Sequence, residues 1–174
     1  MKKIILIITT LIIIAVGGLF VINGKDNYDA SKYSVTATNG INVGSKLSLT
    51  LPNQFDAPAS LTNETKKIVF VFAKATGHTV KEFLKQQDKE YLTSRNALFV
   101  ADISPMPTVI RNTFALPDFK KSDYSVLLIY DKSIAKTLKN EAQADKIVVA
   151  SLDNMTIKEI QYVSTEDELR KILK

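Results

Sequence analysis

The sequence predicts a single α/β domain preceded by one apolar helix. Three observations carry that expectation. An uncharged apolar run, Ile4 to Ile22, succeeds a basic N-terminus; short runs rich in Val, Ile, Leu and Phe then alternate with helical stretches; and the chain closes with two strands, a polar turn between them and a capped helix.

The N-terminal run comes first. Its nineteen residues would rise roughly 28 Å as a helix, close to the thickness of a bilayer's hydrocarbon layer. Fourteen of them are Ile, Leu, Val or Phe, each favouring insertion by about 0.3 to 0.6 kcal/mol at a helix centre. Lys2 and Lys3 are expected to stay in the cytoplasm, which places the rest of the chain outside. The competing reading is a cleaved signal sequence with Ile4 to Ile14 as its core and Ala15-Val16-Gly17 as its processing site. Apolar character resumes at Leu19-Phe20-Val21-Ile22 and no Ala-x-Ala occurs, so an uncleaved single-pass anchor in the cytoplasmic membrane over residues 1–23 is expected. Both readings export the domain to the periplasm or an equivalent extracytoplasmic space.

Residues 24–40 carry Asn, Asp, Ser, Lys and Tyr without a sustained period and read as a linker ending in a short strand near Val35; the domain is expected over 41–174. Leu47, Leu49 and Leu51 alternate with polar residues as in a half-buried strand that Pro52-Asn53 ends. Lys67 to Ala73 is a continuous apolar run, the pattern of a strand covered on both faces. Thr79-Val80-Lys81-Glu82 has the form of a capping box and predicts a helix over 80–92 with Val80, Phe83, Leu84 and Tyr91 on one face. Leu98 to Ala101 predicts a second buried strand ending at Asp102. Pro107 then suits the start of a short helix that Pro117 must stop. Ser125 to Tyr130 is a third buried strand, and Asp131 caps a helix through Leu138. Lys146 to Leu152 and Thr156 to Val163 form a hairpin around Asp153-Asn154-Met155, and Ser164 caps the closing helix.

Composition closes several functional classes. The chain has no Cys, which excludes disulfides, thiolate nucleophiles and thiolate-ligated metals. A single His makes a protein-built zinc or copper site improbable. The six glycines, at 17, 18, 24, 40, 44 and 77, form no dinucleotide- or phosphate-binding loop, so no cofactor is expected. The net charge of +5 falls to +3 once Lys2 and Lys3 are set aside, too small and scattered a surplus to suggest nucleic acid.

Val43-Gly44-Ser45-Lys46-Leu47, with Leu51-Pro52-Asn53-Gln54-Phe55-Asp56 and Leu61 after it, resembles the opening of the thioredoxin-like superfamily, in its peroxiredoxin and TlpA branch. The element order over 41–174 is similar to that superfamily, and the segment from Ser125 onward to the periplasmic YtfJ-type proteins. The resemblance implies a thioredoxin-like three-layer α/β/α sandwich with a central mixed sheet. It sets Thr76-Gly77-His78-Thr79 where those proteins carry Thr-x-x-Cys at the start of a helix, with Thr79 in the place of the cysteine. An alcohol cannot pass through sulfenic acid and disulfide states. The proline that precedes the hairpin strand in thioredoxins is also replaced, by Ala144-Asp145.

The candidate ligand-binding residues are therefore Thr76, Gly77, His78 and Thr79, where helix amides would favour an anion and Gly77 would permit close approach. Asp102 and Asp131, at the carboxyl ends of neighbouring strands, are the topologically plausible partners of His78. Capping and turn formation explain the same residue types without any ligand. No catalytic residue and no metal site is predicted. The expected function is a membrane-anchored binding or accessory module for another envelope protein, without thiol redox activity. The alternatives are a cysteine-independent enzyme or small-ligand-binding protein using the Thr76 to Thr79 helix end, and a purely structural envelope protein.

Overall fold

The computed structural model describes residues 2–174. Helix α1 spans Lys2–Asn23 and is long and apolar enough to cross a membrane. Beyond it come eight strands: β1 Ser34–Ala37, β2 Leu47–Pro52, β3 Pro58–Ser60, β4 Lys67–Val71, β5 Ala97–Asp102, β6 Leu127–Ile129, β7 Ile147–Asp153 and β8 Thr156–Val163. The main sheet runs β6-β5-β4-β7-β8, with β6, β5 and β4 parallel and β7 and β8 antiparallel to their neighbours. The mixed sheet and the element order are those expected.

The central strand β4 is apolar on both faces because both are covered. Val69 and Val71 enter one core with Val80, Phe83 and Leu84 of helix α2 (Lys74–Lys85) and Leu169 of helix α6 (Glu166–Ile172). Ile68 and Phe70 enter a second core with Ala135 and Leu138 of helix α5 (Lys132–Leu138) and Leu47, Leu49 and Leu51 of β2. The second face is thus closed jointly by α5 and by a small antiparallel sheet, β1-β2-β3. Phe83 and Phe70 are both fully buried, each contributing about 1.5 to 3 kcal/mol of transfer free energy.

Three local readings are corrected. Helix α2 begins six residues before the expected start, directly from β4, and ends at Lys85 rather than Leu92. Thr79 is therefore no cap: its Oγ1 donates back to Ala75 O at 3.2 Å from within the helix. Pro117 does not stop the helix that comes after β5. Helix α3 (Thr108–Ile110) passes through a π-helical turn, Arg111–Ala115, into α4 (Leu116–Phe119). The Leu116 amide bonds back to Arg111 O, and Pro117 then falls in the first turn of a new helical segment, where a missing amide costs nothing. The closing helix is capped by Thr165, not Ser164, through a full capping box with Glu168. Asp131 caps α5 as expected, accepting from the Ser133 amide at 2.7 Å. The hairpin turn places Asn154 and Met155 at φ of 47° and 62°, the left-handed pair of a tight β-turn.

Gln54 staples the small sheet to the large one. Its buried side chain donates from Nε2 to Tyr124 O at 2.8 Å, and its Oε1 accepts from the Val126 amide at 3.0 Å. The Gln54→Ala change leaves two buried backbone groups unpaired and is expected to cost about 2 to 4 kcal/mol in urea unfolding. The two Thr positions separate as well. Thr165→Ala is expected to cost about 1 kcal/mol, whereas Thr79→Ala stays within about 0.5 kcal/mol, since Ala is the better residue inside a helix. Equal losses for the two would contradict the observed start of α2.

Candidate functional site

A groove of about 470 Å³ opens where the carboxyl ends of β4 and β5 meet α2 on one side and the α3 to α4 helix on the other. Its floor is Val71, Phe99, Ala101 and Ile103; Met106, Ala115 and Phe119 close the far wall, with Ile110 and Phe114 along its rim. The lining reflects strand alternation: Val71, Phe99 and Ala101 point to the same sheet face, and small Ala side chains at 101 and 115 leave the space unfilled.

Of the sequence-predicted site residues, Gly77, His78 and Asp102 line this groove. The others do not. Thr76 is buried, with its Oγ1 donating to Ala73 O at 2.9 Å, and Thr79 is tied to its own helix. The first turn of α2 is Ala73 to Gly77, so Thr79 stands a turn beyond the place the resemblance gave it. Asp131 lies outside the groove, where its carboxylate is held below the usual range by the Ser133 hydroxyl and amide. Gly77 is not required by close packing, because a Cβ there would meet only Val71 Cγ2 at 3.7 Å. His78 is largely solvated, its Nδ1 4.0 Å from Glu82 Oε1.

No side chain among the described residues caps α2, whose first turn carries Lys74 and no acid. That end of the groove is consequently positive, from free amides and an ammonium together. Asp102 is a half-buried acid in the groove. Burial pushes its carboxyl above the ordinary range, although the Ser104 hydroxyl and amide oppose the shift; the amide donates to Oδ1 at 2.9 Å. Lys81 and Asp118 pair across the groove between α2 and α4. None of the lining residues bears a hydroxyl or a thiol. The arrangement can hold an apolar group and orient a polar one beside Asp102 and His78, but it offers no side-chain nucleophile of the alcohol or thiol type.

Sequence reasoning missed a second constellation, in which the chain leaving α1 is fastened to the domain. Arg111 is 4% exposed; its guanidinium lies 2.8 Å from Asp26 Oδ1 and over the Tyr130 ring at 4.7 Å. Partial burial works against the Asp26 charge, yet the hydrogen bonds from Arg111 and the Tyr28 amide hold its carboxyl below the usual range. Tyr28 stacks between Tyr33 and Tyr130, and burial pushes the Tyr130 phenol up to about 12. Residues 24–40, expected as linker, thus include side chains packed on the domain, with Tyr33 in its interior. The only signal in the sequence was the density of Tyr and Asp around Asp26 to Tyr33.

Asp102 supplies a pH test. Its folded-state pKa is raised, so ionisation opposes folding above that pKa, and the penalty vanishes below the unfolded value, where both states are protonated. Asp102→Asn keeps an acceptor for the Ser104 amide and removes the charge. It is expected to be more stable than the parent at pH 7, with the difference disappearing as pH falls through the carboxylate range in thermal unfolding.

No family model matches the chain, and no curated protein sequence matches it significantly. Solved structures do. A protein provisionally named a protein disulfide isomerase from Bacteroides thetaiotaomicron superposes with a TM-score of 0.53 at 13% identity, covering 80% of this chain and 89% of its own. A peroxiredoxin-like protein from Aquifex aeolicus gives 0.49 at 11% identity over 80% and 90%. The thioredoxin domain of a thiol-disulfide oxidoreductase from Bacteroides vulgatus gives 0.48 at 13% over 78% and 100%. At such identities the likeness is one of fold alone. The chain has the thioredoxin-like fold, with a candidate membrane span at its N-terminus and no cysteine anywhere in it.

Proposed function

We infer that the chain is a membrane-anchored extracytoplasmic binding module, and that its groove between α2 and α3 to α4 receives an apolar segment of another envelope protein. One observation carries this reading: the groove is open, apolar along its floor and without a hydroxyl or thiol in its lining. Lys2 and Lys3 before α1 support the outward orientation of the domain. The absence of cysteine supports a role in holding rather than in thiol electron transfer. Small alanines at 101 and 115 leave room for an incoming side chain, the feature of a preformed apolar site.

A photocrosslinking amino acid at Met106, in membranes from the native host, is expected to give one discrete adduct. The same reporter at Tyr162, on the outer strand β8, gives none. Adding Ala115→Trp, which fills the groove, should remove the Met106 adduct while leaving the protein folded and abundant. An adduct that survives A115W would sink the proposal.

The placement of His78 and Asp102 in one cavity favours a second reading, a receptor for a small ligand with an apolar body and a polar head. The pair H78A and D102A distinguishes the two. Under the docking reading the Met106 adduct persists in both variants; its loss in both at unchanged abundance transfers the site to a small ligand.

A further inference from the structure

We propose that the domain lies on the bilayer surface beside its own anchor, with Phe55, Ile110 and Phe114 entering the lipid interface. The inference rests on the membrane-anchored reading above and adds the position of the domain relative to the membrane.

Helix α1 has 22 residues and rises roughly 33 Å, so a spanning α1 ends near the level of the headgroups. Val21 and Ile22, its last apolar residues, are 82% and 78% exposed, so the domain does not wrap the helix end and lipid can reach it. The segment after α1 is no free tether. Asn112 Nδ2 donates to Asn23 O and to Lys25 O, both at 2.9 Å, and Arg111 binds Asp26. The π-helical turn is therefore fixed to the point at which the chain leaves the membrane.

Outside α1, the exposed large apolar side chains among the described residues are Val43, Phe55, Ile110, Phe114 and Tyr162. Three of these stand near that exit point. Ile110 and Phe114 lie two residues to either side of Asn112 in the chain, on the groove-facing side of that helix, at 46% and 62% exposure. Phe55 comes from a different part of the chain. Its neighbours Gln54 and Asp56 line a hollow shared with Asp26 and Asn112. The turn that displays Phe55 is built rigidly: Asn53 Oδ1 accepts from the amides of Phe55 and Ala57 at 2.9 and 3.0 Å, and Tyr33 Oη donates to Asp56 Oδ1 at 3.1 Å. Lys25 and Lys120, both exposed, stand in the same neighbourhood, where ammonium groups suit anionic headgroups. Apolar side chains on two separate segments around a fixed anchor, edged by lysine, make a surface matched to a bilayer interface.

The chain has no Trp, so single substitutions provide fluorophores without background. Full-length F114W and F55W are reconstituted in phosphatidylethanolamine and phosphatidylglycerol vesicles carrying nitroxide-labelled lipids of defined depth. I12W reports on α1 itself, and Y162W on the outer strand. Emission from F114W and from F55W is expected to shift to the blue and to be quenched most by labels about 5 to 10 Å below the headgroup boundary, while Y162W is unaffected. If I12W is quenched and F114W and F55W both behave like Y162W, the domain stands clear of the bilayer and the proposal is wrong. If I12W itself escapes quenching, α1 does not span, and the anchored reading falls together with this inference.

Discussion

The double burial of β4 is the constraint on which the rest of the molecule depends. Its residues are apolar without alternation, and both faces are filled: Val69 and Val71 by helices α2 and α6, Ile68 and Phe70 by α5 and the small sheet. A strand like this does not fix its own register, because either set of side chains would be content on either face. The partners do that. On β7, Ala150 and Val148 sit on the face crowded by the β2 leucines, and Ile147 and Val149 on the face beneath the helices. With β5 parallel on one side and β7 antiparallel on the other, β4 has no exposed edge, and its carboxyl end must deliver the chain straight into α2.

That delivery creates the groove. The strands β4 and β5 run parallel and end together, so Val71 and Ala101 open onto the same gap, and the helices after them form its two walls. The π-helical turn keeps the second wall continuous through Pro117, so that Ala115 and Phe119 line the same gap. This is the region in which an open α/β sheet characteristically binds ligands. In this chain the topology is present without a thiol, and what the groove offers of chemical specificity is one half-buried acid, one solvated imidazole and a positive helix end.

Much of the architecture was legible because it is written in local signals. Continuous apolar runs gave β4, β5 and β6, Asp131 announced α5, and Asp153 to Met155 announced the hairpin. The start of α2 was illegible for a physical reason. Ala73 caps it without a side-chain bond and Lys74 opposes the dipole, so the helix begins there because β4 ends there and the Thr76 to Leu84 face is buried. Meanwhile Thr79 to Glu82 reproduces the form of a capping box in the helix interior, a decoy that tertiary packing overrides. Of the candidate residues, Gly77 and His78, singled out at an expected helix end, and Asp102, singled out by topology, line the groove. The Asp26, Tyr28, Arg111 and Tyr130 cluster was not, since its members are separated by up to about a hundred residues and no periodicity links them.

The buried Arg111 joins these parts. Withdrawing a guanidinium from water costs several kcal/mol unless it is compensated, and here the compensation is the Asp26 carboxylate, the Tyr130 face and little else: Arg111 Nε has no hydrogen-bond partner. A charge held with so little redundancy ties two things that otherwise have no reason to move together. One is the segment leaving α1, which Asp26 and Tyr28 fasten down; the other is the π-helical turn, whose next residues bound the groove. A shift of that turn outward would strip Arg111 of its carboxylate or drag the anchor's exit with it. On this geometry the groove's wall and the segment leaving α1 are joined mechanically through Arg111.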